Sequence, residues 1–297
     1  MKPMDDELDF SSTTPKPMPA AAAAAVPRPV APPPRALYNP QVALQFFKGG
    51  GQLEQVGGGK NFFAENDKSS GLFSKGDRMY LLLEGDIGLM SKGQFVGNIR
   101  PGEIFGEMAL LAKAPRAATA MAKVACKAIS MGEKEFNAAL QKTPEFALMM
   151  MAVIVNRLRQ NLARKGGAAA PSDVVERQSV FNKKELAVLA EEITPVTASE
   201  GKVIMKAGDT GVFMYIVQEG NVAIIMQDTV VERIGAGGVF GEMAMVDNAS
   251  RAANAVAQNA CTLMMVKRDD FLALVKAKPE FGASILRTIA ERIRTLT

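Results

Sequence analysis

Apolar residues along this chain fall into short runs broken by glycine turns, and then into longer stretches with helical spacing. The runs at 79–83, 214–217 and 222–226 are punctuated by Glu-Gly, Gly-Asp and Pro-Gly pairs. Several such runs at short, regular spacing predict the strands of a sandwich or barrel. The period then changes. Phe136, Ala139 and Leu140, followed after Pro144 by the stretch 146–162, predict helices, and Phe281, Ile285, Ile289 and Ile293 mark one face of a closing helix. Asn39 and Pro40 read as the N-cap and first residue of an opening helix. Asn182 and Glu185 form a capping box ahead of Leu186 and Leu189. The segment FALMMMAVIV at 146–155 is apolar on every face, so it needs cover from a second domain or another subunit. It is also too short to span a bilayer.

The same pattern occurs twice. An offset of 135 places Tyr80 on Tyr215, FGEMA at 105–109 on FGEMA at 240–244, Arg116 on Arg251, Cys126 on Cys261 and Phe146 on Phe281. Upstream, Gly59-Lys60 matches Gly201-Lys202 at an offset of 142, so the first copy carries seven extra residues, a lengthened polar loop within 68–75. The duplication divides the chain into a Pro/Ala-rich tail at 1–36 without periodicity, expected to be disordered, a first domain at 37–162, a linker at 163–175 and a second domain at 176–297.

Composition narrows the chemistry. A net charge of +4 over 297 residues is weak evidence for nucleic acid or an anionic membrane. With no histidine, neither a Ser-His or Cys-His nucleophile nor a His-based metal site can be assembled. Two cysteines do not make a secreted disulfide scaffold, and their equivalent strand positions suggest core thiols in a reducing cytoplasm. The arginines of the last helix, Arg287, Arg292 and Arg294, are read as its solvated face.

The informative stretch is FGEMALLAKAPRAATA at 105–120. It reads as a short helical turn opened by Gly106, a loop, and an arginine leading into a strand. Free N–H groups at the turn and the planar cation of Arg116 suit a phosphate, and the small Ala117 and Ala118 let the backbone approach closely. Glu107 would repel an anion unless it faced another part of the ligand, such as a ribose hydroxyl. The stretch resembles the phosphate-binding cassette of the cyclic-nucleotide-binding domains, F-G-E-x-A-L-x-x-x-x-P-R-x-A-[TS], matching at Phe105, Gly106, Glu107, Ala109, Leu110, Pro115, Arg116, Ala118 and Thr119. The resemblance implies two tandem jelly rolls, mainly β with flanking helices. It implies a first site of Gly106, Glu107, Met108, Arg116, Ala117, Ala118 and Thr119, with Glu107 on the ribose 2′-hydroxyl and Arg116 on the phosphate. The second site would use Gly241, Glu242, Met243, Arg251, Ala252 and Ala253; there Ser250 stands for the proline, Asn254 for the threonine and Met245 for the leucine.

Alanine directly after each arginine, where the family's cyclic-GMP sites carry Thr or Ser, favours cyclic AMP as ligand over cyclic GMP, with no metal. The two-domain plan resembles the regulatory subunits of cyclic-AMP-dependent kinases, which control a separate protein partner. No recognition helix follows the last helix, so direct DNA binding is not expected, and a cupin-type enzyme is excluded by the missing histidines. Three further readings stay open: a catabolite-activator-type regulator without its own DNA-binding domain, a structural protein with vestigial pockets, and a homo-oligomer through the 145–162 helix.

Overall fold

A computed structural model describes residues 38–68, 78–164, 174–246 and 250–296. The tail at 1–36, most of the insertion at 68–75 and most of the linker at 163–175 lie outside them.

In the first lobe, helix α1 (Pro40–Lys48) leads into strands β1 (Gln52–Val56), β2 (Asn61–Phe63), β3 (Met79–Glu84), β4 (Ile87–Ser91), β5 (Gln94–Ile99) and β6 (Ile104–Phe105). Helix α2 (Glu107–Ala112), strands β7 (Thr119–Ala122) and β8 (Cys126–Met131), and helices α3 (Glu133–Lys142) and α4 (Glu145–Arg164) complete it. The strands form two antiparallel sheets, β1-β8-β3-β6 and β2-β7-β4-β5, facing each other as a jelly roll. Phe62, Tyr80, Leu82, Ile87, Phe105 and Ala128 fill the space between them.

The second lobe repeats this plan. It runs β9 (Val175–Arg177), α5 (Lys183–Glu192), β10 (Pro195–Ala198), β11 (Val203–Met205), β12 (Phe213–Glu219), β13 (Val222–Met226), β14 (Thr229–Ile234) and β15 (Val239–Phe240). After a 3-10 turn (Glu242–Met245) come β16 (Asn254–Ala257), β17 (Cys261–Lys267), α6 (Arg268–Ala277) and α7 (Pro279–Leu296). One sheet, β10-β17-β12-β15, matches its counterpart, but the other gains a fifth strand: β11-β16-β13-β14-β9. This extra strand, β9, lies parallel to β14 with Val175 opposite Glu232 and Arg177 opposite Ile234. The strand begins at Val175, the last residue of the expected linker.

Local chemistry accounts for the helix ends. The Asn39 side chain accepts from the N–H of Gln41 and Val42 with Pro40 at the first position, and Asn182 and Glu185 close a reciprocal capping box. Behind each jelly roll three phenylalanines meet. Phe46 stacks on Phe146 at 3.5 Å beside Phe136, and Phe181 stacks on Phe281 at 5.5 Å beside Phe271.

One continuous core joins the lobes. Phe146, Met149, Met150, Met151 and Ile154 of α4 are buried with Ile285, Leu286 and Ile289 of α7. Helices α4 and α7, equivalent in the two copies, pack on each other, which relates the lobes by an approximate two-fold axis. Among the described side chains of α4, those from Phe146 to Ala152, with Ile154 and Val155, are buried in the core that includes α7 of the second lobe. No single helix among the described residues is long and apolar enough to cross a membrane. Both cysteines are free and buried.

Candidate functional site

The first cassette begins with a backbone that only glycine adopts easily. Gly106 has φ 72°, and a β-carbon there would stand 2.7 Å from Arg116 Nη1. That turn opens α2, so Glu107 becomes the first helical residue, buried at 2 % exposure. Met108 is half-buried against the core. Arg116 is equally enclosed, at 2 %. Its Nη1 donates to Gly106 O at 2.7 Å and its Nη2 to Arg78 O at 2.7 Å, while the guanidinium lies 4.0 Å over the Phe63 ring. Burying a cation is costly unless hydrogen bonds and a polarisable face replace water, and this site supplies both.

The loop after β2 holds the arginine's main chain. Arg116 N donates to Asp67 O, and Asn66 N, at φ 66°, donates to Arg116 O. Glu65 fixes the rim: its carboxylate accepts from Lys92 N at 2.8 Å and from Ser91 Oγ at 3.0 Å, and that hydroxyl also lies 3.1 Å from Ala117 O. Ala117 is exposed at the mouth, while Ala118 and Thr119 are half-buried behind it. Thr119 Oγ1 accepts from Glu65 N. The structure thus brings Gly106, Glu107, Arg116 and the alanines onto one cradle. It also adds Phe63, Glu65 and the Arg78 carbonyl, which lie outside the motif and left no signal in the sequence.

The second cassette reproduces the clamp atom for atom. Arg251, 9 % exposed, donates from Nη1 to Gly241 O at 2.9 Å and from Nη2 to Phe213 O at 2.7 Å. Gly241 has φ 74°, Arg251 N meets Asp209 O, and Gly208 N meets Arg251 O. Asn254 takes the place of Thr119 without losing its bond: Oδ1 accepts from Ala207 N at 2.8 Å. Glu242 is buried at 1 %, Met243 half-buried, Ala252 exposed and Ala253 buried. Two supports differ. Met205 stands where copy one has Phe63, and Arg251 lies instead against Gly211, where any β-carbon would fall 2.0 Å from its Nε. Burial draws the Arg251 pKa downward, partly opposed by Tyr215.

A glycine-opened turn, a buried carboxylate and a clamped arginine, built twice at one offset, match the family model for the cyclic nucleotide-binding domain over residues 67–143 and 195–278, together more than half of the chain. The chain belongs to the cyclic nucleotide-binding domain family. It is 23 % identical over 203 residues to the cAMP-dependent protein kinase regulatory subunit of Yarrowia lipolytica, covering 68 % of this chain and 50 % of that protein. It is 33 % identical over 100 residues to the cyclic AMP receptor protein of Thermus thermophilus, covering 32 % of this chain and 46 % of the relative. The chain thus spans about half the length of these curated relatives. Among solved structures, the regulatory domain of Toxoplasma gondii PKA with cAMP aligns at 23 % identity over 82 % of this chain and 86 % of that one, with a TM-score of 0.30.

One feature of the second cyclic nucleotide-binding domain corrects the sequence reading. Arg292 of α7 does not belong to a solvated face: its side chain is 17 % exposed and bridges Glu242 of the cassette to Glu232 of β14. Arg287 turns to the other lobe, pairing with Glu133 of α3 at 3.3 Å, while Lys113 at the end of α2 pairs with the same carboxylate at 3.1 Å. Arg294 lies where no side chain is described.

A cleft of about 130 Å³ lies at the lobe junction, between Leu148, Met149 and Ala152 of α4 and Val246 and Arg268 of the second lobe, with Val246 coming from the second cassette. Its two-fold counterpart is lined by Ala283, Arg287, Leu111 and Glu133 and has almost no free volume. The first cleft exists because Ala152 occupies the position that Arg287 fills in the other copy. Among the described residues no cluster of three or more His, Cys, Asp or Glu could hold a metal ion.

Proposed function

We propose that this chain is a cyclic-nucleotide sensor, acting by binding rather than catalysis, that takes cyclic AMP in preference to cyclic GMP and controls a separate protein partner in the cytoplasm. The observation that carries the reading is the arginine clamp, in which a buried guanidinium is held in one plane by two backbone carbonyls, identically in both lobes. A planar, permanently charged fork is the side chain best matched to a phosphodiester oxygen pair. The proposed pockets comprise Gly106, Glu107, Met108, Arg116, Ala117, Ala118 and Thr119 in the first domain and Gly241, Glu242, Met243, Arg251, Ala252 and Ala253 in the second. Glu107 and Glu242 would accept from the ribose 2′-hydroxyl, with backbone N–H groups of the glycine turn on the phosphate. The alanines after each arginine offer no hydroxyl to a guanine, and both curated relatives carry cyclic AMP in their names.

Response follows from packing. Helix α2 touches α7 of the other lobe, and Lys113 and Arg287 share Glu133 across that contact. A ligand that draws in α2 therefore changes how α7 is seated, with one of two packings favoured by occupancy. The test is calorimetry with cyclic AMP and cyclic GMP on the native chain, Arg116→Ala and Arg251→Ala. Loss of a buried phosphate partner costs roughly 2–5 kcal/mol, so each variant is expected to lose its own site by about thirty-fold or more. Unchanged cyclic-AMP affinity in both variants would overturn the assignment.

A further inference from the structure

The second pocket is tied to the segment that enters its lobe. Four charged side chains run in line from β9 to the cassette: Arg177 pairs with Glu232, Glu232 with Arg292, and Arg292 with Glu242. The ends are deeply enclosed, Arg177 with a side chain 7 % exposed and Glu242 with 1 %. Two cations and two carboxylates leave the row neutral, which is the condition under which buried charges are tolerated. Arg177 has a second prong. Its Nη1 donates to Val239 O at 2.6 Å, on β15, the strand that delivers Phe240, Gly241 and Glu242. A single residue of β9 thus holds the cassette by its backbone and, through two relays, by its carboxylate.

The first domain is built differently. At the offset of 135, Gly97 stands where Glu232 is, and among the described residues the four-stranded sheet there carries no counterpart of β9. The arginine of the closing helix is repeated, since Arg157 falls on the Arg292 position. What copy two adds is the pair Glu232 and Arg177.

We infer that Arg177 and Glu232 are positioning residues of the second nucleotide site, aiming the Glu242 carboxylate at the ligand's sugar from the strand that enters the second domain. This rests on the reading of Glu242 as the ribose acceptor. Without Arg177, Glu232 would lose one of its two cations, and the added negative charge would sit beside a pocket meant for an anion. The hold of Arg292 on Glu242 would slacken, and the sugar clasp would lose direction before the phosphate clamp at Arg251 lost contact.

The experiment uses the full chain carrying Arg116→Ala, so that the second site alone is read. Affinities for cyclic AMP and 2′-deoxy cyclic AMP are measured for that protein and with Arg177→Ala, Glu232→Gln, or Arg177→Lys. In the parent the missing hydroxyl weakens binding. In Arg177→Ala and Glu232→Gln that preference is expected to shrink by roughly three- to tenfold, the size of one directed hydrogen bond, with the deoxy analogue affected little. Partial retention of the preference in Arg177→Lys, which keeps the charge, supports the relay. Equal losses for both ligands, or an unchanged preference, would overturn the inference, because a role in stability alone weakens both alike. Absence of cyclic-nucleotide binding or of hydroxyl preference in the parent would instead remove the reading on which it rests. Circular dichroism of each variant, matching the parent, assigns the changes to the site.

Discussion

Asn254 shows how a departure from a motif can leave its function intact. In the first lobe a threonine hydroxyl accepts from the N–H of Glu65; in the second an amide oxygen accepts from Ala207, the equivalent residue. Asn254→Thr is therefore expected to change stability by less than about 0.5 kcal/mol, and Asn254→Ala to cost about 1 kcal/mol by stranding the donor, both measured by denaturant unfolding. The tyrosines make a second prediction at this scale. All three have raised pKa values: Tyr38, whose hydroxyl donates to Gly102 O, Tyr80, pushed to about 12, and Tyr215, each first through burial. The unfolded chain ionises near 10 while the folded chain keeps its protons, so stability falls as pH rises from about 10 towards 12. Tyrosinate absorbance should then appear together with loss of structure; ionisation near pH 10 with the fold intact would contradict the burial. The motif residues themselves were legible in the sequence because they are nearly contiguous and chemically specific. Phe63, Glu65 and Asn254's partner were not, since β2, the loop after it and that loop's counterpart in the second lobe supply them from about fifty residues upstream.

At the scale of elements, patterning succeeded where periodicity was long and failed where it was short. The caps at Asn39 and Asn182, the strand over 222–226 and the apolar first half of α4 all follow from local spacing. Strand β9 did not, for three mixed residues carry no period and their pairing with β14 lies more than fifty residues away. The solvated reading of Arg292 failed for the same reason, because its acids come from β14 and the cassette turn. Helix α4 yields the prediction here. Met150 is fully buried in the core that joins the lobes, so Met150→Ala should cost about 2–5 kcal/mol, read as a lowered urea midpoint. Less than 1 kcal/mol would mean that the helix is loosely covered.

For the molecule as a whole, the core shared between α4 and α7 means that neither lobe keeps its interior if the other opens. A calorimetric scan of the native chain is expected to show one transition, with calorimetric and van't Hoff enthalpies in agreement; two resolved transitions would show that the junction is weaker than its burial suggests. The duplication was plain from the offset, the strand pattern pointed to a sandwich or barrel, and the resemblance of the cassette implied the jelly roll. How the copies face each other was not, because an apolar helix states that it must be covered without naming its cover.

That pairing has an evolutionary consequence. A symmetric homodimer must accept each substitution twice, once in every subunit, whereas two copies on one chain can change separately. Gly97 against Glu232 and Ala152 against Arg287 are such changes, each altering one half only. Pockets freed from symmetry need not fill at the same ligand level. A difference of only about 1.4 kcal/mol would set their half-saturation points roughly tenfold apart. Under the proposed function, the dose–response of such a chain would be stretched, and a single molecule would register both a faint and a strong ligand signal.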